Sequence, residues 1–180
     1  MENTGTDNSH FELKVKLRQD HLPDADPVNV LDLFSGDGLI WTEVKQRVNK
    51  QINTLRIDIK GDKKGLYLKG DNLKFLHSLD LNDFDCIDVD AYDVPYKQLK
   101  EILTRNYKGI IFITYIQSVF GKLPKKMLMD LNYTEKMIRK VPTLFDRNGL
   151  VKLNAWLSLY GIKKVKRYSI ERKHCLVINY

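Results

Sequence analysis

The chain has few cysteines, no long apolar run and no cluster of metal-ligating side chains. Its two cysteines, Cys86 and Cys175, lie far apart and form no CxxC pair. This excludes a disulfide framework and a structural zinc site, and it favours a reducing compartment. No stretch approaches the roughly 18 consecutive apolar residues of a membrane-spanning helix, and the N-terminal residues lack the pattern of a signal peptide. These absences predict a cytoplasmic protein that contacts no membrane and binds no metal.

The composition is that of one folded domain. Of the 180 residues, 43% are apolar and 10% are aromatic, which is enough to bury a core. The sequence shows no internal repeat, low-complexity tract or linker. Residues 1–27 are expected to form a partly disordered N-terminal extension, and residues 28–180 the folded domain. Within the extension, residues 11–22 alternate apolar and polar side chains, which favours a strand.

Positive charge is concentrated in the last third of the chain. The net charge is +7, and residues 121–180 carry 14 lysines and arginines against 4 acids, whereas residues 1–120 carry 16 against 19. Such a basic part suits a polyanion such as nucleic acid. A simpler interpretation is a charged sheet edge that resists aggregation. The candidate nucleic-acid contacts are Lys122, Lys125, Lys126, Lys163, Lys164, Lys166, Arg167, Arg172 and Lys173.

Strand-like and helical runs alternate from residue 28 onward. The predicted strands are residues 28–34, 54–59, 66–71, 84–91, 109–116, 162–171 and 174–180, and the predicted helices are 36–50, 72–80, 96–106, 125–140 and 148–160. The last two strands are joined too closely for a crossover, so they must be antiparallel. The pattern predicts a doubly wound, Rossmann-like α/β sheet of seven strands, mostly parallel with an antiparallel terminal strand and flanked by helices. Trp41, Trp156 and Cys86 are expected in its core.

The turn after the first strand is suited to a ligand. Gly36 and Gly38 permit a tight turn and a close approach to the main chain. A dinucleotide fingerprint would have a third glycine where this chain has Trp41. The carboxylates of Asp32 and Asp37 also disfavour a phosphate at this helix start. A dinucleotide-binding oxidoreductase is therefore disfavoured, and a cationic ligand suits the turn better.

These features resemble the class I S-adenosylmethionine-dependent methyltransferases. The resemblance covers about residues 28–119 and rests on DLFSGDG after the first strand, Asp58 after the second, GDN after the third and an acid-rich segment after the fourth. It implies S-adenosylmethionine as cofactor, with Asp58 on the ribose hydroxyls and Asp71 on the adenine amino group beside Asn72. A simpler interpretation makes Asp58 a strand-end acid and Asp71 a helix N-cap. The other implied cofactor contacts are Asp32, Phe34, Ser35, Gly36, Asp37 and Gly38, which would wrap the methionine moiety, and Asp88.

The fourth-strand segment, residues 88–96, combines three carboxylates, two tyrosines and a proline. It resembles the Asp/Asn/Ser-Pro-Pro-Tyr/Phe motif of amino-methyltransferases that act on nucleic acids. One register selects Asp90 as the catalytic acid, and the other selects Asp93 with Val94, Pro95 and Tyr96. The longer motif of tRNA guanine dimethyltransferases fits Asp88, Asp90, Tyr92 and Pro95, and it departs at Ala91, Asp93 and Val94.

We favour Asp90, with Tyr92 stacking on the target base and Tyr96 as the second candidate for that role. A charged strand end with tyrosines packed on the sheet is the simpler interpretation of the same residues.

Together the sequence predicts a methyltransferase that uses S-adenosylmethionine to modify a base amine of a nucleic acid, with RNA favoured over DNA. The alternatives are a small-molecule or protein methyltransferase, and a nucleic-acid-binding module without catalysis. No second domain for target recognition is evident. Either the N-terminal extension and the basic C-terminal hairpin select the substrate, or a second copy of the chain in a homodimer or a partner protein supplies that surface.

Overall fold

A computed structural model describes residues 10–116, 123–141, 148–170 and 173–179. Seven strands form one sheet in the order β3-β2-β1-β4-β5-β7-β6. Every neighbouring pair is parallel except those of β7, which is antiparallel to β5 and β6. This confirms the predicted mixed sheet. The strands are β1 (Val28–Asp32), β2 (Ile52–Asp58), β3 (Leu68–Lys69), β4 (Cys86–Asp90), β5 (Ile110–Ile116), β6 (Lys166–Ile170) and β7 (Lys173–Asn179).

Helices cover both faces of the sheet. They are α1 (Phe11–Gln19), α2 (Leu39–Arg47), α3 (Asn72–Ser78), α4 (Tyr96–Thr104), α5 (Lys125–Asp130), α6 (Glu135–Lys140) and α7 (Gly149–Ser158). α1 and α2 cover one face, where Val15 and Trp41 join the core. α3 to α7 cover the other, with Leu99 and Trp156 among the buried residues. Trp41, Trp156 and Cys86 are all buried, as expected.

The strand predicted within residues 11–22 is wrong, because residues 11–19 form helix α1. Its buried residues are Lys14, Val15, Leu17 and Arg18, a spacing that matches one face of a helix. Two of these four are cations. The apolar residues considered alone alternate with polar ones as in a strand, which hid the helical spacing. α1 packs against α2, so this part of the predicted N-terminal extension belongs to the folded structure.

The sheet brings three carboxylates to one edge. Parallel strands present their C-terminal ends together, and Asp32 at the end of β1 lies opposite Asp88 of β4 in the strand register. Asp90 follows two positions later on the same face of β4. The β2–β3 connection stays at this edge, because Lys69 of β3 pairs with Asp58 at the end of β2. Among the described residues, no helix has the length and apolar character needed to cross a membrane.

Candidate cofactor and acceptor site

The turn between β1 and α2 has the backbone that its glycines predict. Gly36 and Gly38 have φ angles of 50° and 72°, in the left-handed region that L side chains rarely adopt. The Gly38 N–H donates to the Ser35 carbonyl at 2.7 Å, and the Ser35 N–H donates to the Ile57 carbonyl at 3.1 Å. The turn is therefore tied to strand β2, with Asp37 half-buried between the two glycines. Phe34, just before it, packs against the core.

Asp58 braces this turn from the end of β2. Its Oδ2 accepts the Gly36 N–H at 2.9 Å, and its Oδ1 accepts the Lys60 N–H at 2.8 Å. Each carboxylate oxygen retains further acceptor capacity. Asp58 thus lies beside the glycine turn, as predicted, and could still accept bonds from ribose hydroxyls.

Arg56, on β2, contacts the glycine turn, and the sequence analysis did not predict this role. Its Nη2 donates to the Gly36 carbonyl at 2.8 Å and its Nη1 to the Lys64 carbonyl at 2.9 Å. A Cβ built on Gly38 would lie 2.6 Å from the Arg56 Cζ and Nε atoms. A side chain at position 38 would therefore require the Arg56 guanidinium to move as well as an unfavourable backbone angle. The only sequence signal was the position of Arg56, two residues before the strand-end acid.

Asp71 and Asn72 have structural partners after β3. The Asp71 carboxylate accepts the Leu73 N–H at 2.9 Å, which confirms the N-cap interpretation. The Asn72 amide donates to the Leu33 carbonyl at 2.9 Å and accepts from Gln98 at 2.8 Å. Asn72 therefore connects the end of β1 to α4. The adenine contact of Asp71 stays a prediction.

Asp88 is held by two residues that the sequence analysis did not assign to the site. Arg18 Nε and Nη2 donate to its two carboxylate oxygens at 2.6 and 2.7 Å, and Trp41 Nε1 donates at 2.7 Å. Asp88 and Arg18 are each only 1% exposed. With three donors and no accessible surface, the structure gives no support to a cofactor contact by Asp88. Its role is to anchor α1 and α2 to the sheet.

Asp32 lies close to this buried pair. Burial, and next the negative charge of Asp88, raise the pKa of Asp32 well above its usual range, while Arg18 acts in the opposite direction. Asp32 is therefore a carboxyl group that favours its neutral form in the folded chain unless a cation reaches it.

Asp90, the favoured catalytic acid, has a cation as its partner. Lys14 Nζ lies 2.7 Å from Asp90 Oδ2, and the two side chains are 3% and 12% exposed. Lys14 and Arg18 are four residues apart on α1, so one helix face supplies a cation to each of the last two acids of β4. Recognising residues 11–19 as a helix would have shown this pairing.

Beyond β4, the segment splits into an exposed part and a buried part. Tyr92 is 78% exposed, and Asp93 is also exposed. Burial, with the charge of Asp93 as a smaller cause, raises the pKa of Tyr115 to about 12. Pro95 is buried and precedes the first residue of α4. This geometry leaves Tyr92 and Asp93 accessible at the site.

Tyr96 lies in the core, so the structure does not support base stacking by its ring. Its hydroxyl donates to Asp130 at 2.9 Å and accepts from Lys100 at 3.1 Å. Its ring centroid lies 5.5 Å from that of Trp156. This packing occupies the ring that was the second candidate for the stacking role.

The predicted basic contacts do not form one surface. Lys164 and Lys166 line a cleft beside Asp85 and Ile110, which lie where β4 and β5 begin, at the opposite edge of the sheet from the acids. Lys173 begins β7 and is buried. Lys163 and Arg167 are exposed near Lys166, Lys125 and Lys126 begin α5, and Lys122 and Arg172 lie outside the described residues.

The glycine turn has polar groups with which a cofactor could form hydrogen bonds. The Ser35 hydroxyl is buried, and no described residue hydrogen-bonds to it. The turn also offers Asp58 beside the closely approachable backbone of Gly36. These donors and acceptors fit a ligand with hydroxyl groups and a positive charge. In the described parts of the chain, no group of three His, Cys, Asp or Glu side chains is placed to hold a metal ion.

The fold is that of the class I S-adenosylmethionine-dependent methyltransferases, as solved structures show. One is a methyltransferase of Podospora anserina, PaMTH1, solved with S-adenosylhomocysteine; it is 18% identical, the alignment covers 94% of this chain and 77% of that one, and the TM-score is 0.53. Another is the small RNA methyltransferase HEN1, at 11% identity, 99% and 26% coverage and a TM-score of 0.57. This chain therefore spans about a quarter of the HEN1 chain.

A third similar structure is a protein of Methanococcus maripaludis assigned to the S-adenosyl-L-methionine-dependent methyltransferases. It is 14% identical, with 96% of this chain and 88% of that chain covered and a TM-score of 0.52. No protein-family model matches the sequence. No functionally curated protein matches it by sequence.

Proposed function

We propose that the chain is an S-adenosylmethionine-dependent methyltransferase that modifies a base amine of a nucleic acid, with RNA the favoured substrate. The observation that carries the proposal is the glycine turn of β1–α2, which the carboxylate of Asp58 braces at the C-terminal edge of a methyltransferase-type sheet. A phosphate would be repelled there, whereas a sulfonium cation would be attracted.

The cofactor would be held by groups that the turn leaves available. Asp58 would accept bonds from the ribose hydroxyls, and the Ser35 hydroxyl would gain the partner that it lacks in the described chain. The positive charge of the ligand would favour the ionised form of Asp32. When bound, S-adenosylmethionine supplies an electrophilic methyl group on a positively charged sulfur.

Asp90 would orient the acceptor nitrogen. Lys14 occupies its Oδ2 and fixes the carboxylate, so Oδ1 is the atom that would accept an N–H of the base amine. A base amine is a weak nucleophile because its lone pair is delocalised into the ring. A carboxylate that accepts its N–H stabilises the positive charge that develops on nitrogen and is placed to take the proton that this nitrogen loses.

Tyr92 would hold the base. Its ring is exposed two residues beyond Asp90, and stacking of a base on an aromatic side chain contributes roughly 1–3 kcal/mol. A base paired in a duplex would first have to leave its stack. Asp93 is the alternative acid if the second register of the motif applies.

Support for a nucleic-acid substrate comes from a set of lysines that lies at the same edge as the acids. The β2–β3 connection and β3 carry Lys60, Lys63, Lys64 and Lys69, and the register of β3 keeps them beside the end of β2. Lys164 and Lys166 lie at the opposite edge of the sheet. The two edges are separated by the length of a five-residue strand such as β4, roughly 16 Å. The connecting loop, rather than Lys164 and Lys166, would therefore contact phosphates next to a bound base.

A binding module without catalysis is the second candidate, and the Lys14–Asp90 ion pair is the observation that favours it. A carboxylate already paired with a buried cation is weaker as an acceptor than a free one. Such a module would bind the nucleic acid without methylating it.

The first test is thermal unfolding with S-adenosylmethionine, S-adenosylhomocysteine or NAD. A ligand at 100 times its Kd adds about 2.7 kcal/mol, which corresponds to a rise in Tm of roughly 5–10 °C for a chain of this size. We expect a rise with the first two ligands only, and none for Asp58→Ala. A rise with NAD alone would contradict the proposed cofactor.

The second test is transfer of a labelled methyl group to total RNA. We expect incorporation by the wild type and loss of it in Asp90→Asn, with Asp93→Asn as the matched control for register. Binding of S-adenosylmethionine and of RNA without transfer would select the non-catalytic alternative. Transfer to small molecules or proteins but not to RNA would overturn the substrate class.

A further inference from the structure

A second cleft lies at the edge of the sheet opposite the acids. Its volume is about 860 Å³, within the range of small-molecule sites. The loop after α1, the starts of β4 and β5, and the β6–β7 pair form its walls. The side chains that matter for its chemistry are His21, Asn82, Phe84, Lys164, Lys166 and Asn179.

Two lysines of the cleft are available to an anion. Lys164 and Lys166 are exposed, and neither side chain takes part in a hydrogen bond or ion pair within the described ranges of the chain. Both line the same wall, on the approach to β6 and at its first residue. Two ammonium groups on one wall favour a ligand with a concentrated negative charge, such as a phosphate.

The cleft also holds three acids; lysines outside the cleft lie near two of them, while Asp85 accepts a backbone N–H and keeps its negative charge. The pairs are Asp20 with Lys16 at 3.0 Å, Asp24 with Lys50 at 3.7 Å, and the Asp85 carboxylate with the Asn29 N–H at 2.8 Å.

His21 adds an unsatisfied polar ring to the wall. Both of its ring nitrogens are shielded from solvent and lack a hydrogen-bond partner among residues that the structure describes. The ring makes an edge contact with Tyr168 at 6.4 Å. A neutral imidazole has one donor and one acceptor nitrogen. If the side chain rotates toward the cleft, a ligand must offer an acceptor and a donor to satisfy both nitrogens. A phosphate oxygen and a sugar hydroxyl are such a pair.

We propose that this cleft binds a phosphorylated ribonucleoside. Lys164 and Lys166 bind the phosphate, His21 contacts the phosphate or ribose, and the half-buried ring of Phe84 forms an apolar wall for the base. The ligand is either a free nucleotide or one nucleotide of an RNA strand, which share this chemistry. The proposal does not depend on methyl transfer at the other edge.

The experiment measures the binding of uridine 5′-monophosphate, uridine and a single-stranded oligouridylate by calorimetry on the full chain. A pyrimidine is used because an adenine nucleotide could also enter the candidate cofactor site. We expect uridine 5′-monophosphate or the oligouridylate to bind more tightly than uridine. The double variant Lys164→Gln/Lys166→Gln should weaken that binding about tenfold, and Lys136→Gln, which changes an exposed lysine of α6 outside the cleft, should leave it unchanged.

The two ligand sources give different results. Binding of the mononucleotide identifies a free nucleotide, and binding of the oligouridylate alone identifies an RNA strand. Absence of binding by either at millimolar concentration, or an equal loss in Lys136→Gln, would overturn the proposal. Because both lysines are exposed, a folding defect is not expected, and an unchanged Tm of the double variant checks this. Labelled methyl transfer is measured separately, so its failure would not bear on this site.

Discussion

Arg18 on α1 holds both carboxylate oxygens of Asp88 on β4, at 2.6 and 2.7 Å, in a pair that is almost wholly buried. The two residues are 70 positions apart. Helix α1 lies in the segment that was predicted to be an N-terminal extension. This ion pair attaches it to the centre of the sheet.

Removing one member of this pair should be costly. Arg18→Met leaves the Asp88 carboxylate buried with only the Trp41 donor, and we expect a loss of about 3–5 kcal/mol in the free energy of unfolding. The measurement is urea unfolding of wild type and variant. Arg18→Met/Asp88→Asn removes the uncompensated charge and should recover part of the loss. A single variant as stable as the wild type would show that the pair contributes nothing.

Lys14 should affect turnover more than cofactor binding. Lys14→Met frees Asp90 from the ion pair that fixes its carboxylate, so we expect methyl transfer to fall at least tenfold while the Kd for S-adenosylhomocysteine changes little. Lys16→Met on the same helix changes an exposed lysine and serves as the control. Full turnover by Lys14→Met would show that Lys14 has no role in methyl transfer.

A methyl group at Gly38 should cost more than one at Gly161. Both glycines have positive φ angles, 72° and 81°, so alanine is strained at each by about 1 kcal/mol. Only at Gly38 does the new Cβ meet Arg56; at Gly161 nothing lies within 4 Å. Urea unfolding should therefore show a larger loss for Gly38→Ala, together with weaker cofactor binding. Equal losses would mean that Arg56 moves aside without cost.

Asp32 should make the stability of the chain depend on pH. Its pKa is raised in the folded state by burial and by Asp88, so the folded chain holds the proton more tightly than the unfolded chain. The stability that this contributes is present below the ordinary aspartate pKa of 3.8 and is lost as the pH rises through the folded-state value.

Asp32→Asn removes this titration. The Tm of the variant relative to the wild type should increase as the pH rises above 3.8, while its affinity for a sulfonium cofactor should decrease. A Tm difference that does not change with pH would contradict the raised pKa.

Local sequence signals predicted the sheet and the glycine turn well. The central strands β1, β4 and β5 are short, largely apolar runs, and Gly36 and Gly38 have backbone angles that few other residues tolerate. The sequence did not predict the partners of the acids. Lys14 and Arg18 are buried cations, which an analysis of apolar spacing counts as exposed. Tyr96 was placed at the site by its motif, but Asp130 and Trp156, distant in sequence, hold it in the core.

The ion pairs between α1 and β4 also determine when α1 can pack onto the sheet during translation. α1 leaves the ribosome before β4, so Arg18 has no Asp88 partner until 70 further residues have been made. At about 5–20 residues per second, that interval is roughly 4–14 s. During this time Lys14 and Arg18, the cations that α1 later buries, remain hydrated, because burying them unpaired would cost too much. Helix α1 can therefore dock only after the middle of the sheet exists.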